Sequence, residues 1–318
     1  MKNAALPSRQ CGVPLAKTLS PVREDPRRSP SSYYTSRIIS HIPRSVREHI
    51  TSSTLRLSAR RGHSSHGTDP STSHHQFGGG WSVGVLLNRA ERHPVATELY
   101  AMGPHAATRR FEIGDPDLGI ESATGIDFSL HHQSEAWGGS LTAFYTDYAD
   151  FIYAAPTDEE LEGFPVYRYT QVDATFRGFE AELTWHAWHH EAAYFDMRFL
   201  LDWVDTDIQE SEEQLPRIPP MRAGVSVEFG AQRWMIRSAL RHSFEQDNTA
   251  PFEEPSDAYT DWSASLLLDL PVRERGEWHL LVSGVNLLDE EIRPHTSPIK
   301  DVAPAPGRHL RVTVSVTF

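Results

Sequence analysis

The sequence predicts an all-β fold: an antiparallel transmembrane β-barrel, in which this chain supplies about ten strands of a larger barrel. Three observations support this prediction. After residue 80, apolar and polar positions alternate in short segments, each about the ten residues that a tilted strand needs to cross a bilayer. Gly and Pro separate these segments. The last segment, residues 310–318, alternates in the same way and ends on the aromatic residue Phe318.

The clearest alternation lies in residues 193–203. The odd-numbered positions there are all apolar, whereas the even-numbered positions include Asp196, Arg198 and Asp202, so one face suits lipid and the other suits water. A soluble β-sandwich or a lipocalin-like barrel also alternates, but it rarely opposes apolar and charged faces in so many segments. The same pattern occurs in residues 81–87, 124–130, 137–145, 175–185, 225–229, 234–240, 262–270, 278–282 and 310–318.

One of these segments changes phase. In residues 175–185, Phe176 occupies an even position, whereas Phe179 and Leu183 occupy odd positions. The change falls at Arg177 and Gly178, so the sequence predicts a β-bulge there, because one extra residue re-aims the side chains that follow it.

The connections between the segments mostly alternate between short and long. The short ones have the size of periplasmic turns, and the long ones are polar or acidic, so we expect all long loops on one side of the barrel. The short links are residues 229–233 and 271–276, and the long links are residues 90–119, 154–167, 204–216 and 244–256. Aromatic residues at many segment ends suit the headgroup level of a membrane.

Residues 1–79 differ from the rest. They are rich in Ser, Arg and His, and residues 1–75 hold 12 Lys and Arg against 4 Asp and Glu, without a sustained period of 2 or 3.6. We predict a basic segment of low order there, followed by the barrel portion in residues 80–318. The basic segment lacks aromatic interleaving, so no nucleic-acid partner is expected. The lone Cys11 excludes a disulfide framework.

The first 30 residues contain no apolar stretch longer than residues 12–16, whereas a secretory signal needs an apolar core of about 7–15 residues. The sequence therefore argues against export of this form. It favours a truncated or frame-shifted product, or a wrongly assigned start.

Several stretches resemble TonB-dependent outer-membrane receptors, particularly the zinc-uptake receptors among them. Residues 98–105 (ELYAMGPH) and 111–118 (FEIGDPDL) resemble a loop of that family, and residues 177–182 (RGFEAE) are similar to a late barrel strand. Residues 215–220 (LPRIPP) resemble a linker that enters another strand, and residues 284–289 (GVNLLD) with 306–318 resemble the closing hairpin. The resemblance covers about residues 80–318.

The resemblance implies a bacterial outer-membrane receptor or transport component, and not an enzyme. Such receptors are expected to have about 22 strands around an N-terminal plug, with a TonB-contacting segment before the plug. This chain would then be a C-terminal barrel fragment, incomplete without a plug. The implied partners are outer-membrane lipid, the barrel-assembly machinery through the C-terminal strand that ends at Phe318, and the TonB system only if a plug is supplied elsewhere. No cofactor is implied, but a metal ion such as zinc, or a metal chelate, would be the cargo.

The candidate metal ligands are Glu98, His105 and Glu112, because all three lie in the long loop that is predicted to face outside and carry imidazole or carboxylate donors. Their spacing matches no ligand motif, so ordinary exposed polar residues are the alternative. Four histidines at segment ends are predicted to be solvated rather than to bind metal. These are His131, His132, His189 and His190.

Two other functions remain open from the sequence. A complete ten-stranded outer-membrane enzyme, such as a surface protease, would need acidic and histidine side chains on neighbouring strand ends. It would also need residues 81–87 to pair with residues 310–318 so that the barrel closes. The third hypothesis is a non-functional truncated remnant that never reaches the membrane.

Overall fold

The computed structural model describes residues 71–211, 213–270 and 276–317, and these residues form 13 β-strands. The strands are β1 (Ser71–Gln76), β2 (Trp81–Arg92), β3 (Met102–His105), β4 (Arg110–Ile113), β5 (Glu121–Gln133), β6 (Trp137–Leu161), β7 (Phe164–His190), β8 (Ala193–Ile208), β9 (Arg222–Ala231), β10 (Trp234–Ser243), β11 (Tyr259–Leu270), β12 (Glu277–Val285) and β13 (His309–Thr317). A 3-10 helix, Gly78–Gly80, precedes β2, and the short helix α1, Ala96–Tyr100, follows it.

All 13 strands belong to one sheet. The main order is β1-β2-β5-β6-β7-β8-β9-β10-β11-β12-β13, with every neighbour antiparallel. The hairpin of β3 and β4 joins at the side, where β4 runs parallel to β7. The predicted all-β, antiparallel fold class is therefore confirmed.

The strand number was underestimated. As far as the described residues extend, all ten predicted segments lie inside strands, but β1, β3 and β4 were not predicted. β3 and β4 have four residues each, too few for a period of two to stand out. β1 reads Ser-Thr-Ser-His-His-Gln, which has no apolar face.

The predicted low-order segment, residues 1–79, lies mostly outside the described residues. Its last part contains β1 and the 3-10 helix, so the sheet begins before the predicted boundary at Gly80. The predicted terminal aromatic residue, Phe318, also lies outside the described residues.

The sheet has two unlike faces. The apolar face, which we define by Ile126, Leu141 and Phe199, leaves these side chains 46%, 40% and 40% exposed. The opposite polar face holds cross-strand ion pairs, among them Asp202 with Arg222. The predicted alternation follows this division along the strands, since pairing in register places apolar residues opposite one another.

Further ion pairs on the polar face join neighbouring strands. Arg198 Nε lies 3.4 Å from Glu182 Oε1, and the guanidinium group of Arg237 contacts the carboxylate of Glu228. Soluble proteins seldom expose contiguous apolar surface while they turn ion pairs to the other side of the same sheet. The arrangement suits a sheet with lipid on one side and water on the other.

The predicted bulge at Arg177 and Gly178 was wrong. The register of β7 runs without interruption through both residues against β6 and β8. Phe176 lies instead on the polar face, where its ring centroid is 5.1 Å from that of Tyr148 and 5.3 Å from that of Phe151. A local apolar cluster, rather than an extra residue, explains why the aromatic side chain changes sides.

Besides a register shift between Pro156 and Glu160 of β6, two single-residue irregularities occur at positions that the sequence did not indicate. In β6 the register shifts between Tyr148 and Phe151, which brings both rings to the same face. In β7 it shifts between His186 and Trp188, beside the turn to β8. Each shift adds a residue to one strand, so the side chains that flank it face the same side.

Connection lengths alternate as predicted. The short-turn end of the sheet carries the links β5–β6, β7–β8, β9–β10 and β11–β12, and the long-loop end carries β2–β5, β8–β9, β10–β11 and β12–β13. At the long-loop end, β6 and β7 continue as an extended hairpin, whose turn is Glu162 and Gly163. The buried residues Ala174, Ile208 and Leu215 form an apolar core near this end.

Aromatic side chains gather at the short-turn end of the apolar face. The ring of His132 lies between those of Trp81 and Trp137, with centroids 4.4 Å and 3.8 Å away. His132 is only 8% exposed, so its predicted solvated state was wrong, because the two indoles cover it. Trp185 pairs with Trp137 in register and extends this aromatic rim.

The condition for a closed ten-stranded barrel is not met among the described residues. β2 pairs with β1 and β5, and β13 pairs with β12. Residues 81–87 and 310–317 are therefore not partners, which removes the support for the enzyme alternative.

None of the helices in the described residues is both long and apolar enough to cross a membrane.

Candidate binding site at the long-loop end

Arg92, the last residue of β2, connects the loop after it to the sheet. Its Nε and Nη2 atoms each donate a hydrogen bond of 2.8 Å to the carboxylate of Glu121, and its Nη1 donates bonds of 3.0 and 2.9 Å to Glu98. Glu121 also accepts a 2.9 Å bond from the backbone N–H of Ile152 in β6. Burial opposes the charge of Arg92, but these carboxylates outweigh it and raise the pKa of the guanidinium group. The cluster fixes helix α1 to three strands.

The start and end of α1 are tightly packed. Glu98 accepts a 2.8 Å bond from the backbone N–H of Val95, which satisfies one of the free donors at the helix N-terminus. Gly114 lies against the end of the helix, where a Cβ atom would come within 2.6 Å of the backbone of Leu99 and Tyr100. Glycine is therefore required at this close approach.

The β3–β4 hairpin brings charged side chains against the extended part of β7. β4 pairs in parallel with β7, so that Glu112 lies beside Tyr167. Arg110 is 5% exposed, and its guanidinium carbon lies 4.7 Å from the centre of the Tyr167 ring, a cation–π contact. Its Nε lies 3.7 Å from Glu112 Oε1. The loop thus adds a buried cation to the long-loop end.

A second arginine lies in the same electrostatic environment. Burial, followed by the charge of Arg110, lowers the pKa of Arg217. Tyr169 donates a long bond of 3.5 Å to Glu112, and burial, followed by the Glu112 charge, raises the pKa of its hydroxyl. Two arginines that are removed in part from water thus lie near the carboxylates of Glu112 and Glu253.

Three long loops meet around His295. Its Nδ1 lies 2.9 Å from Ser256 Oγ and its Nε2 lies 3.4 Å from Glu253 Oε1. Glu253 also accepts a 2.9 Å bond from the backbone N–H of Arg217. His295 is 2% exposed. This buried network holds the β8–β9, β10–β11 and β12–β13 loops together.

The stretch 284–289 has a structural role that its sequence does not reveal. Asn286 is 1% exposed and adopts a positive φ of 49°. Its Nδ2 donates to the Glu290 carbonyl at 2.8 Å, and its Oδ1 accepts from the Glu290 N–H at 3.0 Å. Asn tolerates this backbone conformation better than most residues. It therefore shapes the loop between β12 and β13.

The three predicted metal ligands have separate partners. Glu98 is bound to Arg92, Glu112 interacts with Arg110 and Tyr169, and His105 is exposed, with Nδ1 2.8 Å from Thr108 Oγ1. In the described part of the chain, no cluster of possible metal ligands includes them. Their role in metal contact stays a prediction.

The described residues contain one group of three such side chains, at the opposite end of the sheet. His186, His189 and Asp196 offer donor atoms that all lie within 4.8 Å of one another. The sequence had assigned His189 as a solvated turn residue. The sequence does contain one signal for this cluster. Trp185 lies at an odd position and Trp188 at an even one, so the apolar positions change from odd to even between them.

Solved structures share this fold. The "Copper transporter OprC" superposes with a TM-score of 0.64 at 19% identity, over 78% of this chain and 39% of its own. The siderophore receptor PirA from Acinetobacter baumannii gives 0.55 at 15% identity, over 78% and 40%. The FrpB iron transporter from Neisseria meningitidis gives 0.55 at 14% identity, over 77% and 38%.

At these identities the likeness shows the fold alone, and this chain spans about 40% of the length of the chains that it matches. The family model described as "TonB dependent receptor-like, beta-barrel" matches residues 52–287, which is more than half of the chain. This family consists of receptors, not enzymes. The sheet with its polar and apolar faces and the sequence match agree, and the chain belongs to the family of TonB-dependent receptor β-barrels.

Proposed function

We propose that this chain is a barrel-wall portion of a bacterial outer-membrane receptor that takes up a metal ion or a metal chelate. The observation that carries the proposal is the sheet with two unlike faces: exposed apolar side chains such as Phe199 on one side and cross-strand ion pairs such as Asp202–Arg222 on the other. Such a sheet needs lipid against its apolar face.

The connections set the orientation of the receptor. Outer-membrane barrels turn short links to the periplasm and long loops to the outside, so the aromatic rim around Trp81 and Trp137 lies at the periplasmic headgroup level. The Arg92 cluster and the β3–β4 hairpin then lie outside, where a ligand arrives first. Their contacts hold the loop in a preformed shape, which lowers the entropic cost of binding.

The charges at the long-loop end favour a chelate of metal over a bare cation. Glu98 and Glu112, which would have to bind a cation, are already paired with arginines. Burial, followed by the charge of Arg110, lowers the pKa of Arg217, so an anionic ligand beside these arginines would stabilise their charged forms. A zinc-like ion bound by Glu98, His105 and Glu112 is the second candidate, and it would have to displace Arg92 and Arg110.

The proposed receptor role also implies its partners. Lipid covers the apolar face, and the barrel-assembly machinery would recognise the C-terminal strand that ends at Phe318. The TonB system would act through a plug supplied elsewhere. The cargo is the metal, and no resident cofactor is proposed.

Cell fractionation and uptake together test the proposal. The native chain should enter the outer-membrane fraction, and deletion of its gene should lower accumulation of one metal or chelate under metal limitation. Wild type should restore accumulation, whereas Arg110→Gln should not, and Arg168→Gln, which loses only an exposed pair with Glu159, should restore it.

Two outcomes would overturn the proposal. Recovery of the chain only from soluble or aggregated fractions would favour a non-functional remnant. Correct insertion with unchanged accumulation of zinc, copper and iron, free or chelated, would contradict the assignment of a metal cargo. If Arg110→Gln restores uptake as well as wild type does, the anionic-chelate site at the long-loop end is wrong.

A further inference from the structure

The short-turn end of β7 and β8 contains a cluster that the proposed function does not use. His186 pairs with Asp196 across the hairpin, and His189 pairs with Tyr194. The Nδ1 atom of His186 lies 3.0 Å from Asp196 Oδ1, and the Nε2 atom of His189 lies 2.7 Å from the same oxygen. Two imidazole rings therefore converge on one carboxylate oxygen.

A β-bulge creates this convergence. In a regular strand, residues three apart face opposite sides, so His186 and His189 would lie on different faces of β7. The register shift between His186 and Trp188 absorbs Ala187, so that both imidazoles share the polar face with Asp196. Bulges are over-represented where a strand must re-aim a side chain at a functional site.

We propose that His186, His189 and Asp196 bind a divalent first-row transition-metal ion on the polar face of the sheet, at its short-turn end. The site is distinct from Glu98, His105 and Glu112, since roughly 60 Å of extended strand separates His186 from the part of β7 beside Glu112. In the orientation of the proposed function, this end of the sheet faces the periplasm.

The donor spacing is close to what a metal requires. Zinc binds imidazole nitrogen and carboxylate oxygen at about 2.0–2.2 Å, so tetrahedral ligand atoms lie roughly 3.4 Å apart. The two nitrogen–oxygen distances, 3.0 and 2.7 Å, would have to open by about 0.4 and 0.7 Å to reach that spacing. Since a carboxylate only accepts hydrogen bonds, each facing nitrogen carries a hydrogen and donates a hydrogen bond to Asp196. To bind a cation through that nitrogen, each neutral imidazole would carry its hydrogen on the other ring nitrogen instead.

The ligand set indicates the class of ion. Imidazole and carboxylate together suit zinc, nickel, cobalt, copper(II) and iron(II), whereas calcium and magnesium prefer oxygen alone. Three protein ligands leave at least one position for water or for an exchanging ligand, unlike a closed structural zinc site. The side chains of His186, His189 and Asp196 are 24%, 38% and 23% exposed, so an ion can reach them.

The neighbouring carboxylate of Glu228 is not a fourth ligand, because it already has partners. Glu228 pairs with Asp196 in register, but it already contacts Arg237 and accepts a 2.7 Å bond from the Tyr194 hydroxyl. The positive charge of Arg237 therefore largely balances the negative charge of Glu228. Tyr194 packs edge-on against the His189 ring, with centroids 5.7 Å apart, which limits how far that imidazole can rotate.

Metal titration of the full-length protein in detergent micelles tests the site. Cobalt(II) should give the visible ligand-field bands of a four- or five-coordinate ion, and zinc should displace it. His189→Gln and Asp196→Asn keep the size of the side chains, and each should weaken binding by at least about tenfold. His190→Gln is the matched control, because His190 is the adjacent residue and stacks on Trp188 outside the cluster.

A second measurement protects the test against variants that fail to fold. Diethyl pyrocarbonate modifies neutral imidazole, and mass spectrometry can locate it on each of the 17 histidines. In the wild-type protein, zinc should slow modification of His186 and His189 but not of His190. Equal protection at every histidine, or cobalt spectra that are unchanged in His189→Gln, would overturn the proposal and leave a plain hydrogen-bonded cluster.

The result is independent of transport. Binding in micelles does not require membrane insertion or uptake, so a chain that fails the fractionation test can still bind the metal here.

Discussion

Phe144 pairs with Gly178 across β6 and β7, and its ring fills the space that a side chain at Gly178 would need. A Cβ atom at that position would lie 2.7 Å from the phenyl ring and 2.4 Å from the backbone oxygen of Trp203. The glycine therefore serves the packing of the polar face, and not a bulge.

Replacement of that glycine should be costly. Gly178→Ala should destabilise the folded protein by about 1–3 kcal/mol, because overpacking forces the Phe144 ring or the backbone of β8 to move. Urea unfolding in lipid vesicles, followed by tryptophan fluorescence, measures the change. Gly103→Ala is the control, since no atom lies within 4 Å of the Cβ position there, and it should change the free energy of unfolding little. Equal effects of the two substitutions would contradict the packing argument.

Neighbouring residues of β8 provide a test of which face meets lipid. Phe199 lies on the apolar face, 40% exposed, and Leu200 lies on the polar face. Phe199→Arg should destabilise the protein folded in lipid vesicles by about 2–4 kcal/mol, which is the cost of arginine near the middle of a bilayer. Leu200→Arg should cost much less, because its side chain reaches water. If both substitutions cost the same, the assignment of the two faces is wrong.

The Arg92 cluster should govern the mobility of the first long loop. Arg92→Ala leaves the buried Glu121 and the helix residue Glu98 without their shared cation, which removes charge-assisted hydrogen bonds. Since Arg92 is partly exposed, we expect only a modest loss of local stability in α1. Hydrogen exchange of the α1 amides should accelerate by roughly tenfold.

The matched control for that experiment is Arg168→Ala. Arg168 pairs with Glu159 at 2.8 Å, but both side chains are about half exposed, so the pair contributes little. Exchange in α1 should remain at the wild-type rate. Unchanged α1 exchange in Arg92→Ala would show that the loop is held by its β4–β7 pairing instead.

The strands were predictable where one simple rule applied along the chain. In β8 the alternation of Phe195, Met197 and Phe199 with Asp196 and Arg198 follows directly from a sheet with lipid on one side, and the structure has this pairing. The period of two also gave the approximate position of each membrane-crossing strand, together with the alternation of short and long connections.

The failures concern contacts between strands that are distant in sequence. Phe176 was read as a change of phase because its partners, Tyr148 and Phe151, belong to β6 and are brought together by a bulge. Similarly, His189 reaches Asp196 only because Ala187 is absorbed in β7. A one-residue irregularity changes the face of every side chain that follows it, and residue type alone does not locate it.

The candidate site at the long-loop end was predictable only in outline. The sequence placed Glu98 and Glu112 in one long connection, and both lie between β2 and β5, but their arginine partners were not anticipated. Arg92 belongs to β2 and Arg110 to β4, and only the folded loop brings them to these carboxylates. Charge pairing of this kind depends on tertiary geometry, so composition could indicate the region but not the contacts.

The length of β7 has a consequence for encounters at the cell surface. Its 27 residues span about 90 Å of extended chain, whereas about 9–11 tilted residues cross the bilayer. More than half of the strand therefore stands clear of the hydrocarbon layer, stiffened by its pairing with β6 up to the tight turn at Glu162 and Gly163. In the orientation proposed above, a large particle that approaches the cell would contact this projecting hairpin of β6 and β7 before it reached the other long loops.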